Sequence, residues 1–180
     1  MGFRWLDQHM ADCQFIPTSE INNYLVKGKV KRLLRIVKAT ADPEMVFNNY
    51  KKVFCILLTM EKAHLIDHFC RNDELEDAKL PFQVRPHHFP ASRLNDDPWK
   101  LFDETQWAFC AQIMLDKGER IYPDMAILPI MRKMEIGSGG SAKIYKIEVH
   151  EDYNRLKVLT KFQKSSLLPN HRKRVTFFLT

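Results

Sequence analysis

The spacing of apolar residues changes near Ile127, and this change divides what the chain can fold into. Upstream, Val30, Leu33, Leu34 and Val37 recur at i, i+3, i+4 and i+7. This is the stripe of an amphipathic helix with one buried face. Lys29, Lys31, Arg32, Arg35 and Lys38 fall on its other faces, as a solvated surface or one able to meet an acidic partner. Downstream, Tyr145, Ile147 and Val149 alternate with Lys146, Glu148 and His150, the period of a half-buried strand. The expected class is α+β: a mainly helical N-terminal region followed by a β-rich part.

Local signals punctuate the helical region. Thr18 or Ser19 can cap a helix with Glu20 in its first turn, where a negative charge is favourable. Asp42-Pro43-Glu44 supplies a capping carboxylate and a proline at the first helical position. Val46, Tyr50, Val53, Phe54 and Leu57 share one face beyond it. A short helix is expected over Ala63 to Cys70. His64 and His68 stand one turn apart there with Asp67 beside them, but no H-E-x-x-H and no third ligand accompany them, so an ordinary surface helix is expected and no metal site is assigned. Pro81, Pro86, Pro90 and Pro98 make residues 71–98 loop-like. Asp97-Pro98 then opens a helix carrying Trp99, Phe102, Gln106, Trp107, Phe109, Cys110 and Met114, with Lys117-Gly118 as its stop. Such an aromatic face is read as core. The expected organisation is a helical region over residues 13–118, a β-rich region over 125–160 and an irregular basic tail over 161–180.

Ile136-Gly-Ser-Gly-Gly-Ser-Ala-Lys-Ile144 holds three of the six glycines. It lies between two strands, Arg132 to Ile136 and Ile144 to His150. Glycines let backbone amides approach phosphate oxygens closely. Gly137 and Gly139 match the first two glycines of the kinase loop G-x-G-x-x-G-x-V, Ala142 stands in for the third, and Ile144 for the valine. It is not a Walker A loop, because no Gly-Lys-Ser/Thr follows. A tight hairpin with a glycine-rich turn that binds nothing is the alternative.

The surroundings carry a resemblance. Phe15-Ile-Pro-Thr-Ser-Glu-Ile, Tyr50-Lys-Lys-Val-Phe-Cys-Ile-Leu-Leu, Ile66-Asp-His-Phe, Leu80-Pro-Phe, Gln106-Trp, Ile127-Leu-Pro-Ile, the glycine-rich loop and Ile147-Glu-Val-His-Glu-Asp-Tyr follow one another in order. In that order they resemble the landmarks of filamentous-fungal serine/threonine protein-kinase-like proteins. Tyr153 occupies the place of a histidine in that pattern. The resemblance runs from about Phe15 to Leu156. It implies an incomplete protein-kinase N-lobe over residues 125–160 that binds ATP, with Mg²⁺. The amides of Ser138, Gly139, Gly140, Ser141 and Ala142 would face the phosphates, Lys143 would lie in the loop, and Ile136 and Ile144 would flank the adenine. The phosphate lysine would be Lys157 or, as a weaker match, Lys161; neither carries the small residue expected two positions earlier. No H-R-D-L-x-x-x-N, D-F-G or A-P-E is present, so no catalytic residue is assigned and a truncated fragment inactive in phosphotransfer is expected.

Charge narrows the partners. Seven cations and no acid lie between Arg155 and the end; removing them from the net +6 leaves about −1 for residues 1–154. The body is therefore not a nucleic-acid binder by charge, and His171-Arg-Lys-Arg174 reads as a solvated run. No apolar run is long enough to cross a bilayer. With a broken apolar start no signal peptide is expected, and Leu6 breaks the myristoylation pattern. An intracellular place, cytoplasmic or nuclear, is expected. Cys13, Cys55, Cys70 and Cys110 lack C-x-x-C spacing and are expected as free thiols. The alternative to the kinase-like reading is a non-enzymatic helical interaction module whose loop is vestigial.

Overall fold

A computed structural model describes residues 15–91, 97–115, 124–139, 142–155 and 175–176. It mixes short helices with a small antiparallel sheet, and it divides into two compact units, Met1–Cys110 and Ala111–Thr180. The first unit holds α1 (Thr18–Tyr24), α2 (Lys27–Ile36), α3 (Pro43–Asn49), α4 (Lys51–Thr59), α5 (Ile66–Phe69) and α6 (Pro98–Phe109). The second holds β1 (Met114–Leu115), β2 (Ile130–Gly139), β3 (Ala142–Val149), β4 (Asn154–Arg155) and β5 (Val175–Thr176).

α4 is the centre of the first unit. Val53 through Leu58 are all buried, so the helix is apolar on every side, as a helix covered all round must be. α2 conforms to its stripe: Val30 and Leu34 are buried, and Leu33 and Val37 pack against the core. Phe102 on α6 anchors an aromatic cluster. It stacks on Phe69 at 5.6 Å and on Phe82 at 5.7 Å, and meets Phe89 edge-on at 5.2 Å. These are the offset and T-shaped geometries that ring quadrupoles prefer.

The caps at Asp42 and Asp97 form as expected, accepting from the amides of Glu44 and Trp99 at 3.2 and 3.1 Å. Three helical expectations are corrected. First, neither Thr18 nor Ser19 caps α1; Pro17 holds the N-cap position without a side-chain bond. Second, the helix opened by Asp42 does not run on to Leu57. It breaks at Tyr50, whose φ is −131°. A new N-terminus begins there because the Asp77 carboxylate takes the amides of Lys52 and Val53 at 2.8 and 2.9 Å. Third, α6 stops at Phe109 rather than near Lys117-Gly118. The Ala108 carbonyl, which a continuing helix would offer to Gln112, accepts instead from the Ile16 amide at 2.7 Å, while Gln112 donates to Ile127 at 3.1 Å. Met114 is thereby in a strand that pairs parallel with β4.

Residues 71–91 also hold more structure than a proline-rich loop suggests. Two 3-10 turns, Asp73–Leu75 and Asp77–Lys79, lie within it, and Leu75, Phe82 and Phe89 are buried. The loop is pinned by side chains from outside it and within it. Gln106, fully buried, accepts from the Phe82 amide at 2.8 Å and donates to the Phe82 carbonyl at 3.0 Å and to Asp103 at 2.7 Å. Arg85 donates to the Pro90 carbonyl at 2.9 Å.

α2 and α4 end alike. The Lys38 amide bonds to Arg35 and the Ala39 amide to Leu34, with Lys38 at φ 56°. The Glu61 amide bonds to Leu58 and the Lys62 amide to Leu57, with Glu61 at φ 57°. Both are Schellman turns with a non-glycine residue in the left-handed position, where a Cβ is unfavourable. Lys38→Gly is therefore expected to raise the unfolding free energy by about 0.5–1 kcal/mol, the relieved strain exceeding glycine's added unfolded-state freedom. Urea unfolding checks this, and a loss of stability would contradict it.

In the second unit the strands are longer than the sequence signals. The sheet order is β2-β3-β5, antiparallel throughout. Ile147 and Val149 are buried as the alternation requires. Within the tail read as irregular, Val175–Thr176 pair with Ile147 and Lys146 as β5.

Candidate glycine-rich hairpin site

β2 and β3 form the hairpin that carries the glycine-rich run. Gly139 pairs with Ala142, Ser138 with Lys143 and Gly137 with Ile144. The two strands thus approach to within two residues of each other in sequence, and the tip is Gly140-Ser141, which lies outside the described residues. Below Gly137 the register shifts: Glu135 pairs with Tyr145, leaving Ile136 as an extra residue on β2. A second shift leaves Met131 extra between Ile130 and Arg132. Such bulges increase twist and re-aim side chains, and they blunt an edge strand. β2 is the edge of its sheet.

Ile136, the extra residue, has its side chain 48 % exposed. Met131 and Met134 are similarly exposed. The run from Ile136 to Gly139 and from Ala142 to Ile144 is thus brought together as one hairpin end, while Lys157 and Lys161 lie outside the described residues. The arrangement can present amides and small residues to an anion.

The base of the hairpin is closed by its own backbone. The His150 amide donates to the Pro129 carbonyl at 2.9 Å, and the Asp152 amide donates to His150 Nδ1 at 3.2 Å. Tyr153 is buried, and its ring meets His150 edge-on at 6.2 Å.

His68 and His88 of the first unit serve structure. His68 Nε2 bonds the His88 carbonyl at 2.5 Å, and Glu74 accepts from the His88 amide and ring at 2.6 and 2.9 Å. The His88 bonds hold the Glu74 carboxyl below its usual range. Asp67 accepts from the amides of Thr40 and Ala41 at 2.7–2.9 Å. Among the described residues no group of three or more ligating side chains could hold a metal. Cys55, Cys70 and Cys110 are free, and burial pushes each thiol up, Cys70 to about 12 and Cys110 to about 11. They are thiols rather than nucleophilic thiolates at neutral pH.

No described helix is long and apolar enough to cross a membrane. No family model, curated protein or solved structure matches this chain.

Proposed function

We propose that the β2–β3 hairpin is the nucleotide-phosphate loop of a serine/threonine protein-kinase-like ATP-binding fragment. The observation that carries the reading is the placement of Gly137 and Gly139 in the last three residues of β2, just beyond a bulge and directly before the hairpin tip. There, amides without obstructing side chains can reach phosphate oxygens. ATP would bring its Mg²⁺ with it, because the described side chains supply no separate metal cluster. The bound nucleotide would supply the transferable phosphoryl group; this chain's own contribution is binding through the loop, with Lys157 or Lys161 as the candidate phosphate lysine. No catalytic Asp-Asn set accompanies it, so the chain alone transfers no phosphate.

The half-open surroundings of Ile136 make the site weak. Titration with Mg-ATP is expected to give a dissociation constant no tighter than about 0.1 mM. Gly139→Val is expected to remove the heat signal, because a branched side chain blocks the phosphate approach. Micromolar binding that survives this substitution would place the site elsewhere. In a kinase assay with Mg-ATP and a generic protein substrate, no turnover is expected; turnover lost on Gly137→Asp would overturn the assignment of inactivity.

A second reading, a helical interaction module, is favoured by one observation: residues 15–110 build a hydrophobic core of their own. A rise in thermal midpoint with Mg-ATP supports the first reading, and its absence supports the second.

A further inference from the structure

α2 breaks several rules of helix stability at once. Its N-cap, Val26, makes no side-chain bond, and its first turn has no acidic residue but holds Lys27 and Lys29, cations at the positive end of the helix dipole. Gly28 sits inside it, with nothing within 4 Å of where a Cβ would be. No Asp or Glu stands between Glu20 and Asp42, while six Lys and Arg do. Lys31 and Arg35 are one turn apart, as are Arg32 and Arg35, and like charges at these spacings repel. Local choices that cost stability without a local return mark places where a sequence answers to something besides folding.

The geometry sorts these residues. Lys27 pairs with Glu44 at 2.7 Å, and Lys29 lies over the Tyr24 ring at 3.2 Å. Those two cations are committed to the fold. Lys31, Arg32 and Arg35 are exposed and, among the described residues, have no anionic partner within 4.0 Å. Together with Gly28 they recur at i, i+3, i+4 and i+7, directly opposite the buried stripe of Val30, Leu34 and Val37. Ile36 extends this face, and its side chain is 67 % exposed.

We propose that this face of α2 is a docking surface for an acidic protein segment. Carboxylates of the segment would pair with Lys31, Arg32 and Arg35, and one apolar side chain would lie on Ile36. An anionic membrane fits less well, because interfacial helices insert a broad apolar face and the apolar stripe of α2 is turned into the core. Nucleic acid fits less well too. A phosphate backbone gains nothing from Ile36, and residues 1–154 carry about −1 overall. Arginine is instead enriched at protein interfaces, and two of the three free cations are arginines. The inference is independent of nucleotide binding at the hairpin.

The test uses the full chain and a labelled synthetic peptide with Glu at helical spacing around a central Leu pair. Saturable binding is expected, weakened about tenfold by Arg32→Glu/Arg35→Glu and about threefold by Ile36→Ser. Lys100→Glu, on an exposed position of α6, should leave it unchanged. A peptide with Ser for the Leu pair should bind the native chain as weakly as the original binds the Ile36→Ser variant. The thermal midpoint of the double variant, measured alone, confirms that it is folded. The proposal is overturned by absence of peptide binding, by binding indifferent to the double variant, or by loss equal for Lys100→Glu. Tighter binding to phosphatidylserine vesicles or to duplex DNA than to the peptide also overturns it.

Discussion

Replacing Gln106 with Leu is expected to lower the unfolding free energy by about 4 kcal/mol. The amide side chain holds both backbone groups of Phe82, one as acceptor and one as donor. Leucine has similar volume, so little of the loss comes from packing. It comes from leaving a buried N–H and C=O without partners, each costing about 1–3 kcal/mol. Gln106→Glu keeps the acceptor but removes the donor and brings a carboxylate beside Asp103 in a buried place, so it too is expected to destabilise. Urea unfolding at neutral pH checks both. A loss under about 1 kcal/mol for the leucine variant would mean that water replaces the side chain and that the lock is dispensable.

The second large effect is in the pH dependence. Burial pushes the Asp77 carboxyl up to about 6, against the opposing pull of the Val53 and Lys52 amides. In the unfolded chain the group titrates near its ordinary 3.8. Between these values the folded protein retains a proton that the unfolded chain releases. The contribution to stability is therefore fully present below about pH 4, falls as pH rises through 6, and is flat above; the total fall is about 3 kcal/mol. The test is the difference between the native chain and Asp77→Asn, measured by urea unfolding at several pH values. Relative to the variant, the native chain should weaken by that amount between pH 4 and 7. A difference independent of pH would show that the carboxyl titrates normally. Asp67 acts in the opposite sense. Bonds from Thr40 and Ala41 more than offset its burial and hold it below the usual range, so its contribution is present above pH 4 and disappears in stronger acid.

What was legible in the sequence was whatever a short stretch decides by itself. Asp42-Pro43 and Asp97-Pro98 open helices because the cap and the fixed φ of proline act within three residues. The stripe of α2 and the alternation of β3 are visible because each encodes one buried face. Illegible were the features imposed by distant partners. Asp77 ends one helix and starts another 25 residues upstream of itself, and nothing near Tyr50 announces it. Ile16 takes the carbonyl that would have prolonged α6. Gln106 did leave a trace, since it stands where the period of Trp99, Phe102 and Phe109 puts a core side chain. A polar residue at such a position must have buried partners. At the hairpin, the glycines marked the turn, but bulges depend on how two strands register. The extra residue at Ile136 was therefore hidden from a single-strand reading.

The bond from Ile16 to Ala108 has a further consequence in time. It joins the first described residues of the helical unit to its last helix, and Phe102 and Gln106 complete the core only when α6 is present. During synthesis, α1 to α5 leave the ribosome well before α6 does. At about 5–20 residues per second, a few seconds pass in which the side of α4 that α6 packs against has no cover. The helical unit therefore cannot close its core until its final segment emerges, and a ribosome stalled before Phe102 would display an incomplete core.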